Sequence, residues 1–224
     1  MTRLDKELHS RGLAKSRSAA AQLICGGKVR VNGEVCEKSS ALICESDFLE
    51  VAEQPRYVSR GGYKLEHALN AFNIDLRGKI CLDVGASTGG FTDCMLQHGA
   101  AKVYAVDVGT SQLDESLRAD ARVISLEKHD IRTLELPEKT DFTSVDVSFI
   151  SLKLILPHIA SHAVVLIKPQ FELGRKHKGV IADAKLARKI AEEVAAFAGS
   201  STLIDSPILG KNGNHEFLME IKKP

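Results

Sequence analysis

A glycine-rich segment between two short apolar runs, Lys79–Asp107, most constrains what this chain can fold into. The first apolar run, Ile80–Val84, leads into Gly85–Gly90, a turn that only small residues can make, and a segment with helical spacing follows. The second apolar run, Val103–Val106, is closed by Asp107. Strand, tight turn, helix, strand and acid in this order predict a βαβ unit that holds a nucleotide-like ligand above the turn.

The residues of this turn favour a ligand with a positive centre. A dinucleotide fingerprint would place a glycine at Ser87, and an acid before the turn, Asp83, would repel a pyrophosphate. S-adenosylmethionine carries a sulfonium, an ammonium and a ribose diol, so we favour it over a dinucleotide and over a βαβ unit without a ligand. An acid about 20 residues beyond the glycines, Asp107, is placed to hold ribose hydroxyls. The expected cofactor contacts here are Asp83, Gly85, Ser87, Gly89, Gly90, Phe91 and Asp107.

The composition of the chain excludes several other classes. A net charge of only +1 means that any affinity for nucleic acid must come from local patches. Five cysteines without a C-x-x-C pair are typical of small buried side chains in a reducing cytosol, and not of disulfides or a zinc site. The longest uninterrupted apolar runs have five residues, and the first ten residues contain no apolar signal core. We therefore expect a cytoplasmic protein with no membrane span and no metal.

Residues 1–53 are predicted to form a small α+β domain of their own. Its expected elements are a helix through Leu4, Leu8 and Leu13, a helix over Ala19–Cys25 capped by Ser16 or Ser18, a hairpin of Lys28–Val31 and Glu34–Cys36 around Asn32-Gly33, and a strand at Phe48–Val51. Residues 1–30 hold seven Lys or Arg and two acids, whereas residues 31–53 hold one and six. This separation of charge favours a positive patch for phosphates, although a solvated helix face would give the same pattern.

Three motifs in this segment resemble the αL RNA-binding domain. They are RLDxxL at Arg3–Leu8, GLAKSR at Gly12–Arg17 and AxxLIxxGxVxVNG at Ala20–Gly33. That domain occurs in a ribosomal small-subunit protein, in bacterial tyrosyl-tRNA synthetases and in many pseudouridine synthases. The resemblance implies binding of structured RNA through the two helices, since RNA helices are recognised mainly by shape and backbone. The implied phosphate contacts are Arg3, Lys15, Arg17, Lys28 and Arg30.

Residues 54–62 are predicted to be a linker, and residues 63–224 a single α/β domain. The expected helices are Lys64–Phe72, Leu113–Leu117, Leu152–Ile159 and Asp183–Ala198, besides the one in the βαβ unit. The expected strands are Ile80–Val84, Val103–Val106, Arg122–Leu126, Phe142–Phe149, Ala163–Lys168, Thr202–Leu209 and Glu216–Ile221. Because strands and helices alternate and the last strand returns antiparallel, we predict a Rossmann-like, mostly parallel sheet of seven strands.

Chemistry in such a sheet lies at the carboxyl ends of its strands. These ends carry Asp83, Asp107, Asp130, Asp146 and Lys168, while Glu216 begins the antiparallel strand at the same edge and Lys64 begins the preceding helix. We expect Asp130 and Asp146 to complete the cofactor contacts. A lysine between an apolar strand and carboxylates, as predicted for Lys168, can accept a proton from a hydroxyl, or it can simply point into solvent.

Two classes of methyl acceptor can be excluded from the sequence, which leaves a hydroxyl group. Methylation at carbon five of a pyrimidine needs a cysteine nucleophile, and no cysteine lies at a late strand end. Methylation of an exocyclic amine typically uses an N/D-P-P-aromatic turn after strand four, where this chain has Asp146-Val-Ser-Phe. A basic loop with Arg175, Lys176 and Lys178, together with Arg60, is expected to contact RNA phosphate, although the loop could equally be a solvated lid.

Five motifs in order resemble the TlyA family, whose members are called hemolysin A or rRNA (cytidine-2′-O)-methyltransferase. They are YVSRGGxKL at Tyr57–Leu65, LDVGASTGGFTD at Leu82–Asp93, DVSFISL at Asp146–Leu152, KPQFE at Lys168–Glu172 and GNxEFL at Gly213–Leu218. The family joins an αL RNA-binding domain to an FtsJ-like class I methyltransferase. The resemblance implies a Lys-Asp-Lys-Glu tetrad of Lys64, Asp146, Lys168 and Glu216, with Lys168 as the central catalytic lysine.

This resemblance also implies the substrate: the 2′-hydroxyl of cytidine in small- and large-subunit ribosomal RNA, within ribosomal particles. The chain departs from the family pattern at Asp130, where many relatives have Asn, and this puts the contact with adenine in question. Two alternatives remain at this point. One is a non-catalytic RNA-binding assembly factor, which the intact glycine turn disfavours. The other is a pore-forming hemolysin, which the short apolar runs disfavour. The oligomeric state cannot be read from the sequence.

Overall fold

The computed structural model describes residues 1–52, 55–174, 179–200, 202–210 and 213–223. The chain divides into two compact units, Met1–Arg56 and Tyr57–Pro224. The domain bounds that we predicted, 1–53 and 63–224 with a linker between them, stay predictions. The basic loop Arg175, Lys176 and Lys178 lies outside the described residues.

The first unit packs two helices on short strands. Its elements in chain order are β1 (Thr2–Arg3), α1 (Leu4–Ser10), α2 (Arg17–Cys25), β2 (Val29–Val31), β3 (Glu34–Val35), β4 (Leu42–Ile43) and β5 (Leu49–Val51). Strand β2 pairs antiparallel with β3 and β5, and β1 pairs with β4, a pairing that the sequence analysis missed. Leu4, Leu8 and Ile24 are fully buried in its core.

Two local signals in this unit were predicted correctly, the cap of the second helix and the hairpin turn. The hydroxyl of Ser16 accepts from the backbone N–H of Ala19, so Ser16 is the cap of α2. The backbone φ angles of Asn32 and Gly33 are 51° and 87°, as a type I′ turn requires.

The prediction that all five cysteines are buried is wrong in part. Cys81 and Cys94, both in the second unit, are buried, whereas Cys25 is exposed and Cys36 and Cys44 are half-buried.

The second unit is a seven-stranded sheet with helices on both faces. Its helices are α3 (Gly61–Ala71), α4 (Gly90–Gln97), α5 (Glu115–Arg118), α6 (Pro169–Glu172) and α7 (Ala184–Ala198), and two 3-10 turns lie at Leu152–Leu154 and Leu156–His158. Its strands are β6 (Ile80–Val84), β7 (Lys102–Asp107), β8 (Val123–Glu127), β9 (Phe142–Val145), β10 (His162–Ile167), β11 (Thr202–Asp205) and β12 (Phe217–Ile221).

The strand order of this sheet is β11-β12-β10-β9-β6-β7-β8. Strands β6 to β10 are parallel, and β12 runs antiparallel between β10 and β11. The prediction of a mostly parallel, seven-stranded sheet is therefore confirmed. Because the chain leaves β6 towards β7 and β8 and later returns to its other side at β9, the order reverses between β6 and β9. A crevice at such a reversal is where open α/β sheets bind ligands.

The two faces of the sheet bury alternate residues of each strand. Leu82 and Val165 pack on the face that α7 covers, whereas Cys81, Val164 and Leu166 pack on the face that α3 and α4 cover. This alternation follows from the period of two in a strand. It also directs the side chain of Asp83 into the α4 side of the sheet, where it is fully buried.

Several predicted elements differ in the structure. Strand β11 ends at Asp205 and not at Leu209, and helix α1 ends at Ser10, before Leu13. The fourth strand ends at Val145, not at Phe149, because the chain turns away from the sheet after Asp146. The helix predicted at Leu152–Ile159 is two 3-10 turns, since Pro157 lacks the backbone N–H that a continuous helix would use. Helix α3 begins at Gly61, so Lys64 lies in its first turn and not at its first residue.

No helix among the described residues is both long enough and apolar enough to span a bilayer.

Candidate active site

The glycine turn after β6 has a backbone that side chains would obstruct. Gly85 and Gly89 have φ angles of 85° and 93°, a region that L-residues avoid. A Cβ at Gly85 would lie 2.5 Å from the backbone oxygen of Asp146, and one at Gly89 would lie 2.3 Å from Leu117. The turn therefore lies directly against the loop that follows β9, and glycine is required for this approach.

Asp107 at the end of β7 is fixed by two backbone donors. Its Oδ2 accepts from the N–H of Ser87 at 2.8 Å, and its Oδ1 accepts from the N–H of Gly109 at 2.7 Å. The hydroxyl of Ser87 donates to the side-chain oxygen of Gln112 at 3.1 Å. Each carboxylate oxygen keeps a lone pair, so Asp107 can still accept from a ribose diol. Nothing in the local sequence pattern around Gln112 indicates this contact.

Two adjoining cavities lie at the carboxyl ends of β6, β7, β9 and β10. The larger has a volume of about 580 Å³, and its lining includes Asp107, Asp130, Val147 and Ile155. The smaller has a volume of about 280 Å³, and its lining includes Lys64 and Lys168. The residues that line both cavities are Gly85, Ser87, Asp146 and Ser148. A ligand in the larger cavity thus meets a ligand in the smaller one beside Asp146.

Two ion pairs lie at the smaller cavity. The ammonium of Lys168 lies 2.5 Å from Oδ1 of Asp146, and it donates to the hydroxyl of Ser148 at 2.9 Å. The ammonium of Lys64 donates to Oε2 of Glu216, and these two residues are 9% and 5% exposed. Lys168 is 13% exposed at its side chain, so its position is fixed by contacts and not by solvent. The structure thus brings together the four residues of the implied tetrad as two pairs.

Asp83 was expected to contact the cofactor, and this prediction is wrong because its side chain lies inside the sheet. Its two carboxylate oxygens accept from the hydroxyls of Thr92 at 2.6 Å and Ser144 at 2.9 Å, and it lines neither cavity. Burial raises the pKa of Asp83 to about 6, although the two hydrogen bonds act against this rise. It lies inside the sheet because side chains alternate along β6, and its hydrogen bonds connect β6 to Thr92 in α4 and to Ser144 in β9.

Asp130 lines the larger cavity, and its carboxylate is paired with the guanidinium of Arg132. Its carboxylate accepts from Nε of Arg132 at 2.9 Å and from Nη2 at 2.5 Å. This pairing lowers the pKa of Asp130 to about 2. A carboxylate held in this way still has free lone pairs for an exocyclic amine, and Arg132 lines the same cavity.

An exposed aromatic side chain, that of Phe149, is among the residues that line the larger cavity. Phe149 is 88% exposed, and its φ angle of 65° is unusual for a bulky residue. Its ring centroid lies 5.0 Å from that of Phe171. Strained backbone of this kind occurs mostly at functional sites. Its role is not indicated by the sequence, because the apolar pattern predicts a strand over Phe142–Phe149.

The predicted RNA contacts of the first unit are exposed. Arg3, Lys15, Arg17, Lys28 and Arg30 all have exposed side chains. Arg60 is also exposed, and it lines the smaller cavity in the second unit. No group of three or more His, Cys, Asp or Glu among the described residues is arranged to hold a metal ion.

Models of two known families match the chain. The model described as FtsJ-like methyltransferase matches residues 57–223, and the model described as S4 domain matches residues 2–49. These two matches agree with the small N-terminal domain and the methyltransferase fold that the sequence predicts.

Relatives match over nearly their whole length. The chain is 42% identical over 240 residues to the 16S/23S rRNA (cytidine-2′-O)-methyltransferase TlyA of Mycobacterium tuberculosis, a match that covers 98% of this chain and 89% of that protein. It is 44% identical over 239 residues to hemolysin A of Brachyspira hyodysenteriae, with 96% and 98% covered. A solved structure from Streptococcus thermophilus, described as a candidate hemolysin, is 44% identical with a TM-score of 0.75, and 99% of this chain and 88% of that chain are covered.

Proposed function

The chain belongs to the FtsJ-like methyltransferase family, and on that premise we propose that it transfers a methyl group from S-adenosylmethionine to the 2′-hydroxyl of cytidine in ribosomal RNA. Both the small and the large subunit are proposed substrates, because the Mycobacterium tuberculosis relative is named for 16S and 23S rRNA. The S4 match and the exposed basic side chains of the first unit support an RNA substrate. A cytoplasmic location follows from a substrate within ribosomal particles.

The position of the pair of Lys168 and Asp146 is the observation that best supports methyl transfer to a hydroxyl. The pair of Lys168 and Asp146 lies where the two cavities adjoin, with Asp146 lining both. A methyl donor in the larger cavity and a ribose in the smaller one would then meet beside a lysine nitrogen. Holding two reactants in line in this way can supply on the order of 7–11 kcal/mol of the barrier.

The larger cavity fits the cofactor. The backbone of Gly85 and Ser87, the fixed carboxylate of Asp107 and the apolar walls of Val147 and Ile155 all line this cavity, and they suit an amino-acid moiety, a ribose diol and an adenine, respectively. S-adenosylmethionine supplies the electrophilic methyl group when it is bound. Asp107 would hold its ribose hydroxyls, Asp130 its exocyclic amine, and the backbone of Gly85 to Gly90 its amino-acid end.

Lys168 is the proposed general base. Its nitrogen is positioned by Asp146 and by the hydroxyl of Ser148, so in the neutral form its lone pair can accept the proton of the ribose hydroxyl as the oxygen attacks. The pair of Lys64 and Glu216 is the proposed positioning group for the ribose, since Lys64 lines the same cavity. The reaction needs neither a metal nor a covalent enzyme intermediate.

The test measures methyl transfer from labelled S-adenosylmethionine to purified ribosomal subunits. We expect Lys168→Met to lower kcat by about 10²–10⁴-fold, because it removes the proton acceptor, while calorimetry still detects cofactor binding. Lys185→Met is the matched control, since Lys185 is exposed on α7 and lines neither cavity. Full activity of a folded Lys168→Met protein would refute the catalytic assignment. Failure of the unmodified protein to bind S-adenosylmethionine would favour a non-catalytic role on RNA.

Mapping of 2′-O-methyl groups identifies the nucleotide. Ribosomal RNA from cells with and without the gene is compared position by position, and we expect the lost positions to be cytidines. Lost positions in only one subunit would restrict the proposed substrate to that subunit.

A further inference from the structure

A buried carboxylate lies between two exposed arginines in the first unit. Asp5, near the start of α1, is 5% exposed, whereas the side chains of Arg3 and Arg17 are 49% and 57% exposed. Arg3 donates to Oδ1 at 3.0 Å and to Oδ2 at 3.2 Å, and Arg17 donates to Oδ2 at 2.9 Å. The N–H of Lys6 also donates to Oδ1 at 3.0 Å. The carboxylate is therefore held from inside its own helix as well as by both guanidinium groups.

The shared oxygen fixes how far apart the two guanidinium groups can be. Because Nη2 of Arg3 and Nη2 of Arg17 lie 3.2 Å and 2.9 Å from the same Oδ2, they are at most 6.1 Å apart. Charge-assisted hydrogen bonds to phosphate are about 2.7–2.9 Å long, so two donors no farther apart than this limit can reach one phosphate group from two sides. Asp5 thus keeps the two guanidinium groups close enough for both to contact a single phosphate.

Donors remain available for such a phosphate. A guanidinium has five N–H donors, of which Arg3 uses two and Arg17 uses one in the contacts that join them to Asp5. Two positive charges share one negative charge, so the cluster has a net charge of +1, and it lies within residues 1–30, which hold seven Lys or Arg and two acids. Hydrogen bonds from Arg3 and then Arg17 hold the pKa of Asp5 well below its usual range, so the carboxylate stays charged at physiological pH.

We propose that Asp5 is a positioning residue that holds Arg3 and Arg17 together as a clamp for one phosphate of the RNA backbone. Without it, two like charges would repel each other, and two long side chains would each lose rotamer freedom on binding. The proposal rests on the proposed function, because it takes the RNA substrate from there. It adds a role for an acid in binding a polyanion, a role opposite to what its charge alone predicts.

The direction in which Asp5→Asn changes the affinity for RNA tests this role. If Asp5 only contributed charge, Asp5→Asn would strengthen binding to RNA, because it removes a negative charge near the phosphates. A positioning role predicts weaker binding, by about tenfold, together with a shallower dependence of binding on salt, because one phosphate contact is lost. The measurement is the dissociation constant for purified ribosomal subunits at several salt concentrations, with KM and kcat determined on the same samples. We expect the weaker binding to appear as a higher KM for ribosomal subunits.

Glu34→Gln is the matched control for charge. Glu34 is exposed in β3 of the same unit, and its substitution makes the same change in net charge. We expect Glu34→Gln to bind subunits as tightly as the unmodified protein or more tightly. Binding by Asp5→Asn that equals or exceeds that of Glu34→Gln would overturn the proposal.

A second variant covers the case in which Asp5→Asn fails to fold. Arg17→Lys keeps the charge and leaves Asp5 in place, but it replaces a planar fork by a single ammonium. The clamp predicts weaker binding for Arg17→Lys, and binding equal to that of the unmodified protein would contradict it. Methyl transfer by the unmodified protein is scored separately, so a missing activity would reject the proposed function while the binding comparison still decides the role of Asp5.

Discussion

Asp83 places a carboxylate inside the sheet with two hydroxyl groups as its hydrogen-bond partners. Thr92 and Ser144 donate to it, and burial nevertheless raises its pKa to about 6. A group whose pKa is higher in the folded state than in the unfolded state binds its proton more tightly when folded. Its protonated form therefore stabilises the fold at low pH, and that stabilisation is lost as the pH rises from about 4 through about 6.

Asp83→Asn should remove this dependence on pH. Between pH 4.5 and 7.5 we expect the unfolding free energy of the unmodified protein to fall by about 2 kcal/mol relative to that of the variant. Urea unfolding at several pH values measures the difference. Asp75→Asn is the control, because the pKa of Asp75 is lowered to about 2 by Arg77 and its difference stays constant in this range. A constant difference for Asp83→Asn as well would show that burial does not raise the pKa of Asp83 in the folded protein.

Residues of the site divide into those that a pattern can predict and those that only the fold can place. Asp146 and Lys168 follow apolar strands, so the rule for strand ends is sufficient to bring them together. The same rule suggested that Asp83 meets a ligand, but alternation along β6 directs it inwards. Phe149 depends on a left-handed backbone conformation, which no local pattern in its segment indicates.

The glycine turn gives a test at the level of an element. Gly85→Ala adds a Cβ at 2.5 Å from a backbone oxygen of the loop after β9, and that oxygen cannot move without the loop. We expect this variant to lose affinity for S-adenosylmethionine by calorimetry and to lose stability by about 2–4 kcal/mol, from backbone strain and overpacking together.

Gly78→Ala separates the effect of backbone strain from the effect of the steric clash that a Cβ at Gly85 would cause. Gly78 has a φ angle of 71°, but a Cβ there would meet nothing within 4 Å. It should cost about 1–2 kcal/mol of stability and leave cofactor affinity unchanged. If the two alanine variants bind S-adenosylmethionine equally well, the turn is not the cofactor site.

Elements with strong local signals were predicted closely. Helix α7 begins where Asp183 caps it, with bonds to the N–H groups of Lys185 and Leu186, and it ends at Gly199 with a φ angle of 69°. Elements whose ends depend on tertiary contacts were not. Strand β9 stops at Val145, the last residue that pairs with both β6 and β10, and a sequence alone does not contain that limit.

The whole molecule joins two units that we expect to govern different kinetic constants. Lys15 and Lys28 are exposed in the first unit, whereas the cavities lie in the second. A Lys15→Ala/Lys28→Ala protein should show a higher KM for ribosomal subunits and a salt slope reduced by about 1.5–2, if each lysine meets one phosphate. Steady-state kinetics and cofactor calorimetry measure both effects. A change in cofactor affinity, with KM unchanged, would contradict this separation.

Strand β12 lies between two strands that precede it in the sequence. It is antiparallel to β10 on one side and to β11 on the other, and Glu216 directly before it pairs with Lys64, 152 residues earlier in the chain. Neither β10 nor β11 can complete its backbone pairing until β12 arrives, and contacts so distant in sequence form slowly. During synthesis from the N-terminus, the glycine turn can therefore be in place while the site still lacks Glu216. The enzyme would acquire its activity as one of the last events of its own folding.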